Sequence, residues 1–455
     1  MNTEVSLIIA IPAGVVIAFG LLYVVALTGL GMRTSRKAGL PVSAQEGLID
    51  AAPDLSADLH GFSFYFLIAA LDEEAVIGGT VAAILSEQGG SSVVVVDDGS
   101  SDRTAEIAGS FGYTGKVRVL SRKPPEARQG KGQALNAGLA LIRQDVEQSG
   151  LSLSKVIVVV MDADGRLTPN ATAAVSDAFA SDPSVGGLQL MVRIRNRDSL
   201  ALWLQDMEFW AMSGIGQLGR MSLGSVSMGG NGQFTRLSAL DEVGVRPWSA
   251  SLTEDLDLSI SLSALGWKTT STPFAYVTQQ GVPDLKRLIR QRTRWFQGHM
   301  MAIKRLPELA RSRYLATGRF LELSAYLSMP WLISLPWSLV QQYLIFEILT
   351  GHSMLGIRTA TWWAKVIVIL FWYATSFGPQ IFWAVVYSRR ARHIKLWKAL
   401  VLSHLTILWT YTTHIAVWRA VARIVLKRNG WAKTRREAED DVAVDQLSAP
   451  LTAAA

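Results

Sequence analysis

Residues 5–31 (VSLIIAIPAGVVIAFGLLYVVALTGLG) carry no charged side chain. The run exceeds the roughly 20 apolar residues that a membrane-spanning helix needs. It is longer than the apolar core of a signal peptide, and no small-residue cleavage site follows it. Arg33, Arg36 and Lys37 come directly afterwards. Basic residues collect on the cytosolic side of a span, so the pattern predicts a transmembrane helix over 1–32 and a cytosolic chain from residue 33 onward. Residues 33–61 read as a linker, rich in Ala, Pro, Asp and Gly from 38 to 60.

From 62 to 282 the period changes. Short apolar runs at 62–69 (FSFYFLIA), 92–96 (SVVVV), 116–120 (KVRVL) and 155–161 (KVIVVVM) have the length and β-branched content of buried strands. Helix-like stretches lie between them, at 73–87, 101–110 and 131–144. This alternation predicts an α/β domain, a mainly parallel sheet with helices on both faces, set between transmembrane segments. Polar residues at the strand C-termini then line the ligand crevice. GGNGQ (229–233) predicts a bend where backbone can approach a ligand closely.

Residues 283–318 begin with basic and apolar groups alternating at helical spacing (PDLKRLIRQRTRWFQGHMMAIKRLPE), like helices lying in a membrane surface. The stretch 319–426 holds three long apolar segments. Those at about 320–348 and 362–388 predict spans. The third, 397–425, is interrupted by His404, Thr406, Thr410, Thr412, Thr413 and His414, and basic clusters flank it at 389–398 and 427–436. One crossing would put one of those clusters outside. A bent or re-entrant segment returning to the cytosolic face is therefore expected. Residues 427–455 are expected to be a cytosolic tail, basic and then, from 437, disordered.

Composition agrees with this division. Across 455 residues, 49% are hydrophobic and 18% charged, with mean hydropathy +0.25. That balance suits an integral membrane protein with a substantial soluble part. Ten of the 15 tryptophans fall between Trp331 and Trp431, as aromatic belts do. The net charge of +7 is carried beside apolar segments, which favours anionic lipid headgroups over nucleic acid. No cysteine is present, which excludes disulfides, thiolate catalysis and Cys-ligated metals.

The polar residues that break this pattern are mostly carboxylates. Asp97 and Asp98 end the second strand in VVVVDDGSSD, where one can be a turn residue and the other a hydrogen-bond acceptor for a nucleoside. Asp162 and Asp164 end the fourth strand in VVVMDADGR. Two apart in an extended segment, they point the same way, and such a pair calls for a hard cation, Mg2+ or Mn2+. Glu254 and Asp255, in SLTEDLDLS, suit either an acidic first helical turn or a general base for a sugar hydroxyl. In QRTRWFQG (291–298), Gln291, Arg294 and Trp295 share one helical face. That face fits an interfacial helix, or a site that stacks a sugar beside an anion.

DDG, DAD, TED and QRTRW, in this order, resemble the membrane-embedded family 2 glycosyltransferases, the group of cellulose, chitin, hyaluronan and poly-N-acetylglucosamine synthases. The resemblance covers about residues 62–298. It implies a GT-A-type nucleotide-sugar-binding domain and a catalytic site on the cytosolic face of the plasma membrane. Asp97 or Asp98 would hold uridine, and Asp162 and Asp164 the metal, with Asp162 also contacting the nucleotide-sugar. Lys131, in GKGQALN, is similar to a family lysine near the diphosphate. Gln291 and Arg294 would contact that diphosphate, Trp295 would stack under the acceptor sugar, and Asp255 would be the base with Glu254 beside it. ALDEEAVI (70–77) echoes a nucleotide-binding loop, with Asp72 where the family usually has Asn. The implied reaction is inverting transfer from a UDP-sugar to a growing β-linked polysaccharide, with a single transfer to a lipid as the alternative. Four or so membrane segments are few for a polysaccharide conduit, so a short channel or a homo-oligomer is implied.

Overall fold

The computed structural model describes residues 3–37, 59–169, 171–350, 361–391 and 393–428. The expected disordered stretch from 437 lies outside them, as does most of the expected linker. Residues 33–37, assigned to that linker, instead complete the first helix, α1 (Thr3–Lys37).

The expected strands form close to their expected bounds: β1 (Ser63–Ala70), β2 (Ser92–Asp97), β3 (Val117–Ser121) and β4 (Val156–Met161). Their apolar runs are continuous because both faces are covered. Phe64, Phe66 and Ile68 enter one core cluster, and Tyr65 and Leu67 enter the other. Helices α2 (Ile77–Glu87) and α4 (Ala171–Ser181) cover the first face, and α3 (Lys131–Gln148) covers the second.

Six further strands were not visible as apolar runs: β5 (Arg166–Leu167), β6 (Val185–Gln189), β7 (Met191–Ile194), β8 (Gln233–Arg236), β9 (Lys268–Thr270) and β10 (Tyr276–Gln279). The main sheet runs β3-β2-β1-β4-β8-β6-β9, and β5-β10-β7 make a small second sheet. β1 to β4 are parallel, whereas β8 is antiparallel to both its neighbours. Ala70 pairs with Asp97 and Ile68 with Met161, so β1, β2 and β4 end nearly level and their C-terminal loops open on one crevice.

Further helices complete the described chain. The first, α5, runs from Leu200 to Met221 through a π turn at Glu208–Ser213. α6 (Glu254–Ala264) follows, then α7 (Leu285–Ala302), whose first turn is capped by Asp284 accepting from Arg287 N at 2.7 Å. α8 runs from Thr317 to Thr350, again through a π turn, at Pro330–Ser334. α9 (Trp362–Arg390) and α10 (Leu396–Val425) complete the described chain. Among the described residues, helical stretches at Ala18–Lys37, Thr317–Tyr343 and Leu396–Val425 are long and apolar enough to cross a membrane. α10 is one unbroken helix, so the bend expected there is not made by a break in secondary structure.

A buried ion pair ties these helices together. Arg220 of α5 donates to Glu322 of α8 at 2.6 Å, and Tyr23 of α1 donates to the same carboxylate at 2.9 Å. The Arg220 guanidinium also lies 3.8 Å from the centre of the Tyr326 ring. Removing one partner strands the other charge out of water. Glu322→Ala is expected to destabilise the protein by about 3–5 kcal/mol, more than the double replacement Arg220→Met/Glu322→Leu. Thermal unfolding in detergent measures both, and equal losses would mean that the pair does not couple the helices.

Candidate active site

The crevice is built from the loops after β1, β2 and β4. The first two loops are stitched to each other. Asp72 accepts from Ser101 N at 2.7 Å, its own N–H donates to Ser100 Oγ at 2.9 Å, and Glu73 N donates to Thr104 Oγ1 at 2.7 Å. Asp72, a weak signal in the sequence because it departs from the usual Asn, is thus a structural partner of the DDGSSD turn. Within that turn Asp97 accepts from Ser100 N at 2.9 Å. Asp98 pairs with Arg122, and burial pushes its carboxyl above the ordinary range despite that partner. Both aspartates are buried at the crevice, but each has a local hydrogen-bonding or ionic partner.

The loop after β4 corrects one expectation. Residues 162–165 are not extended: Gly165 N donates to Asp162 O at 2.9 Å and closes a turn. The two carboxylates therefore do not share one direction. Asp164 is fully buried and accepts from Gln280 N at 2.8 Å. Asp162 instead reaches Lys131, the first residue of α3, whose ammonium donates to Asp162 at 2.6 Å and to the Gly230 carbonyl at 3.1 Å.

Gly230 explains why GGNGQ belongs here. It has φ of +71°, and a Cβ added to it would lie 2.9 Å from Asp255 Oδ2 and 3.3 Å from Lys131 Nζ. Only glycine admits both the conformation and the crowding. Next in sequence, Asn231 accepts from Asp162 N at 3.2 Å and donates to Gln279 at 3.0 Å, which fixes the turn. Asn231 lies inside GGNGQ, whose signal was its glycines, and Gln279 carried no signal.

Glu254 and Asp255 open α6, and the third acid of that turn, Asp257, is taken up by Arg305. Burial, together with the neighbouring Asp255, pushes Glu254 up to about 7, while Lys131 and Arg294 oppose the shift. Burial likewise holds Asp255 above its ordinary range, against the pull of Lys131 and Arg294. Burial alone would lower Lys131, but Asp162, Glu254 and Asp255 together hold its proton on. Asp162, Glu254, Asp255, Lys131 and Arg294 thus form one electrostatic unit.

α7 brings the remaining residues. Gln291, Arg294 and Trp295 are each partly exposed, and the indole of Trp295 meets Phe209 edge-on, with ring centres 6.3 Å apart. Phe209 lies in the π turn of α5, an element absent from the sequence reading. Close approach of α7 to α6 depends on Gly298, since a Cβ there would fall 2.5 Å from Thr253 Oγ1. Arg292, one residue from Gln291, is buried and bound to Glu208 and Thr413, which sets the rotation of the helix.

Among the described residues, no group of three or more His, Cys, Asp or Glu side chains is arranged to hold a metal. A single cleft-facing carboxylate that already carries a cation fits a divalent ion whose other ligands come from a bound phosphate. Asp162, with its 2.6 Å ammonium partner, is such a group.

Residues 60–298 match the family model described as "Glycosyltransferase like family 2". Over 216 residues the chain is 31% identical to a beta-monoglucosyldiacylglycerol synthase of Trichormus variabilis, covering 44% of this chain and 40% of that protein. Over 201 residues it is 27% identical to a poly-beta-1,6-N-acetyl-D-glucosamine synthase of Staphylococcus aureus, covering 44% of this chain and 45% of that one. Each match therefore spans less than half the length of the relative. Among solved structures, mannosyltransferase PcManGT from Pyrobaculum calidifontis, in complex with GDP-Man and Mn2+, superposes with a TM-score of 0.51 at 16% identity. That alignment covers 92% of this chain and 100% of the other, and it shows the shared GT-A fold.

The raised Glu254 carboxyl has a thermodynamic signature. A carboxyl whose pKa rises from 4.5 to about 7 on folding contributes stability below pH 4.5 that is lost as pH rises through 7. Glu254→Gln, neutral at every pH, should therefore match the wild type near pH 4 and exceed its stability by up to about 3 kcal/mol at pH 8.5. Unfolding curves at the two pH values check this, and a difference independent of pH would contradict it.

Proposed function

The chain belongs to glycosyltransferase-like family 2, and on that premise we propose that it transfers a sugar from a UDP-sugar, with inversion, to an acceptor hydroxyl presented at the membrane. The observation that carries this reading is the convergence of Asp255, Lys131 and Asp162 around Gly230. A base, a cation and a carboxylate there meet the needs of a nucleophile, a leaving diphosphate and its counter-ion.

In this reading the nucleoside lies in the crevice beside Asp97 and Asp98, and the diphosphate lies between Lys131 and the Gln291/Arg294 face of α7. Asp162 would hold a Mg2+ or Mn2+ ion, with Asp164 fixing the turn behind it through Gln280 N. Such an ion supplies charge neutralisation as the diphosphate departs. Asp255, more exposed than the buried Glu254, takes the proton from the acceptor hydroxyl. The hydroxyl oxygen forms its bond to the anomeric carbon from the face opposite the phosphate, and the carbon–phosphate oxygen bond breaks with its electron pair leaving on UDP. An α-linked donor thereby gives a β-linkage. Lys131 and Arg294, fixed before reaction, stabilise the charge that grows on the leaving group. Trp295, braced by Phe209, offers a flat apolar face to the acceptor sugar.

A stacking platform suits a chain end that returns after each addition, so a growing β-linked glycan is the acceptor we favour. A lipid acceptor is favoured by two other observations. The two kinds of relative differ in identity, 31% for the glycolipid synthase against 27% for the polysaccharide synthase. Among the described residues, three helical stretches are long and apolar enough to contribute to a conduit.

Asp255→Asn is expected to lower transfer by 10²–10⁴-fold, the usual worth of a general base, while leaving UDP binding intact. Activity retained in that variant would overturn the assignment of the base. Chelation of divalent ions should abolish transfer and re-addition of Mn2+ restore it, with full activity in chelator the contrary result. Sizing the products of a long incubation with labelled UDP-sugars separates the acceptors. Polymers that shorten in Trp295→Ala support the glycan, and mono- or disaccharide lipids alone support the second reading.

A further inference from the structure

The loop that carries Gly230 has little in its own composition to hold it still. GGNG (229–232) has three glycines in four residues, and glycine gives up more backbone freedom on folding than any other residue. Gly230 and Gly232 have φ of +71° and +68°. Gly232 is held by packing, since a Cβ there would fall 2.7 Å from Val277 Cγ1. Gly229 is exposed, and a Cβ added to it would meet nothing closer than Gln189 Oε1 at 3.9 Å. Packing therefore does not fix this end of the loop. Hydrogen bonds do.

Those bonds come from one side chain. Gln189, the last residue of β6, is buried. Its Oε1 accepts from Gly229 N at 2.8 Å, and its Nε2 donates to the Asn231 carbonyl at 2.7 Å and to the Leu190 carbonyl at 3.0 Å. The amide thus grips the backbone on both sides of Gly230, which takes a donor and an acceptor at the end of one side chain. A carboxylate of the same shape would set its charge against two carbonyl oxygens, and a hydrocarbon would give Gly229 N no acceptor here. Gln189 is itself anchored. Its carbonyl accepts from Gln217 Nε2 of α5 at 2.5 Å, and the residue pairs with Gln233 of β8.

The stretch that Gln189 fixes serves both acceptors of the Lys131 ammonium. Gly230 presents the carbonyl that accepts from Lys131 at 3.1 Å. Asn231 presents the side-chain oxygen that accepts from Asp162 N at 3.2 Å, and Asp162 accepts from Lys131 at 2.6 Å. We propose that Gln189 is a positioning residue that aims the Lys131 ammonium from two sides, through the Gly230 carbonyl and through the turn that carries Asp162. This role rests on the proposed function, in which Lys131 meets the leaving diphosphate.

A double-mutant cycle read by calorimetric titration of UDP with Mn2+ into the full chain, in lipid nanodiscs, tests it. Gln189→Met keeps the length of the side chain and removes both ends of the grip. It is expected to weaken UDP binding about tenfold in the wild-type background and no more than about threefold in Lys131→Met, where the ammonium it aims is gone. A role confined to stability would give the same factor in both backgrounds, and that result would overturn the proposal. Wild-type affinity in Gln189→Met would do so too. Asn231→Ala breaks the path one residue further on and leaves the backbone carbonyl that Gln189 holds. The same cycle built on it is expected to show the same drop in Lys131→Met, and equal factors would again contradict the proposal even if Gln189→Met does not fold. A wild type that binds no UDP would overturn the proposed function, and this role with it, whereas equal factors in a wild type that binds UDP would overturn the role alone.

Discussion

The site depends on one ammonium among three carboxylates. Without Lys131, Asp162, Glu254 and Asp255 would face one another in a buried pocket, and repulsion together with lost hydration would drive protons onto them. With it, Asp162 has an ammonium partner, and the rise that burial imposes on Glu254 and Asp255 is opposed. Three segments far apart in sequence, the start of α3, the turn after β4 and the start of α6, are joined by that charge. The β8 loop must then supply glycine at position 230, because no side chain fits between Lys131 and Asp255.

Arg294 gives the second link, from chemistry to membrane. It projects from α7 toward the acids of α6, while α7 is itself held between the catalytic domain and α10 by Arg292 and Gln297. Charged residues on alternating faces of one helix thus do two jobs. Arg294 acts on the acids of α6 and Trp295 meets Phe209, while Arg292 and Gln297 lock the rotation of the helix.

Much of this was legible in sequence. The four leading strands and the residues at their ends could be read because buried parallel strands are continuous apolar runs. The order DDG, DAD, TED and QRTRW marked the site, and the structure brings the last three into one electrostatic unit. What was hidden had physical reasons. Asp162 and Asp164 were expected to point together, but a turn that begins at Asp162 turned Asp164 inward to Gln280. The strands after β4 are short and carry polar residues satisfied by distant partners, so period-two or apolar-run patterns do not expose them. α5 reads as an apolar stretch inside the catalytic domain, and its π turn, which places Glu208 and Phe209, has no sequence signature. The charge clusters around 397–425 suggested a bent or re-entrant segment, whereas the structure has one unbroken helix there.

The central claim is that Lys131 and Arg294 form the anion-binding half of the crevice. Calorimetric titration of UDP with Mn2+ into the wild type, Lys131→Met and Arg294→Met, in the same lipid nanodiscs, tests it most directly. Each single replacement should weaken binding at least tenfold, about 1.4 kcal/mol. Unchanged affinity in both variants would contradict the account.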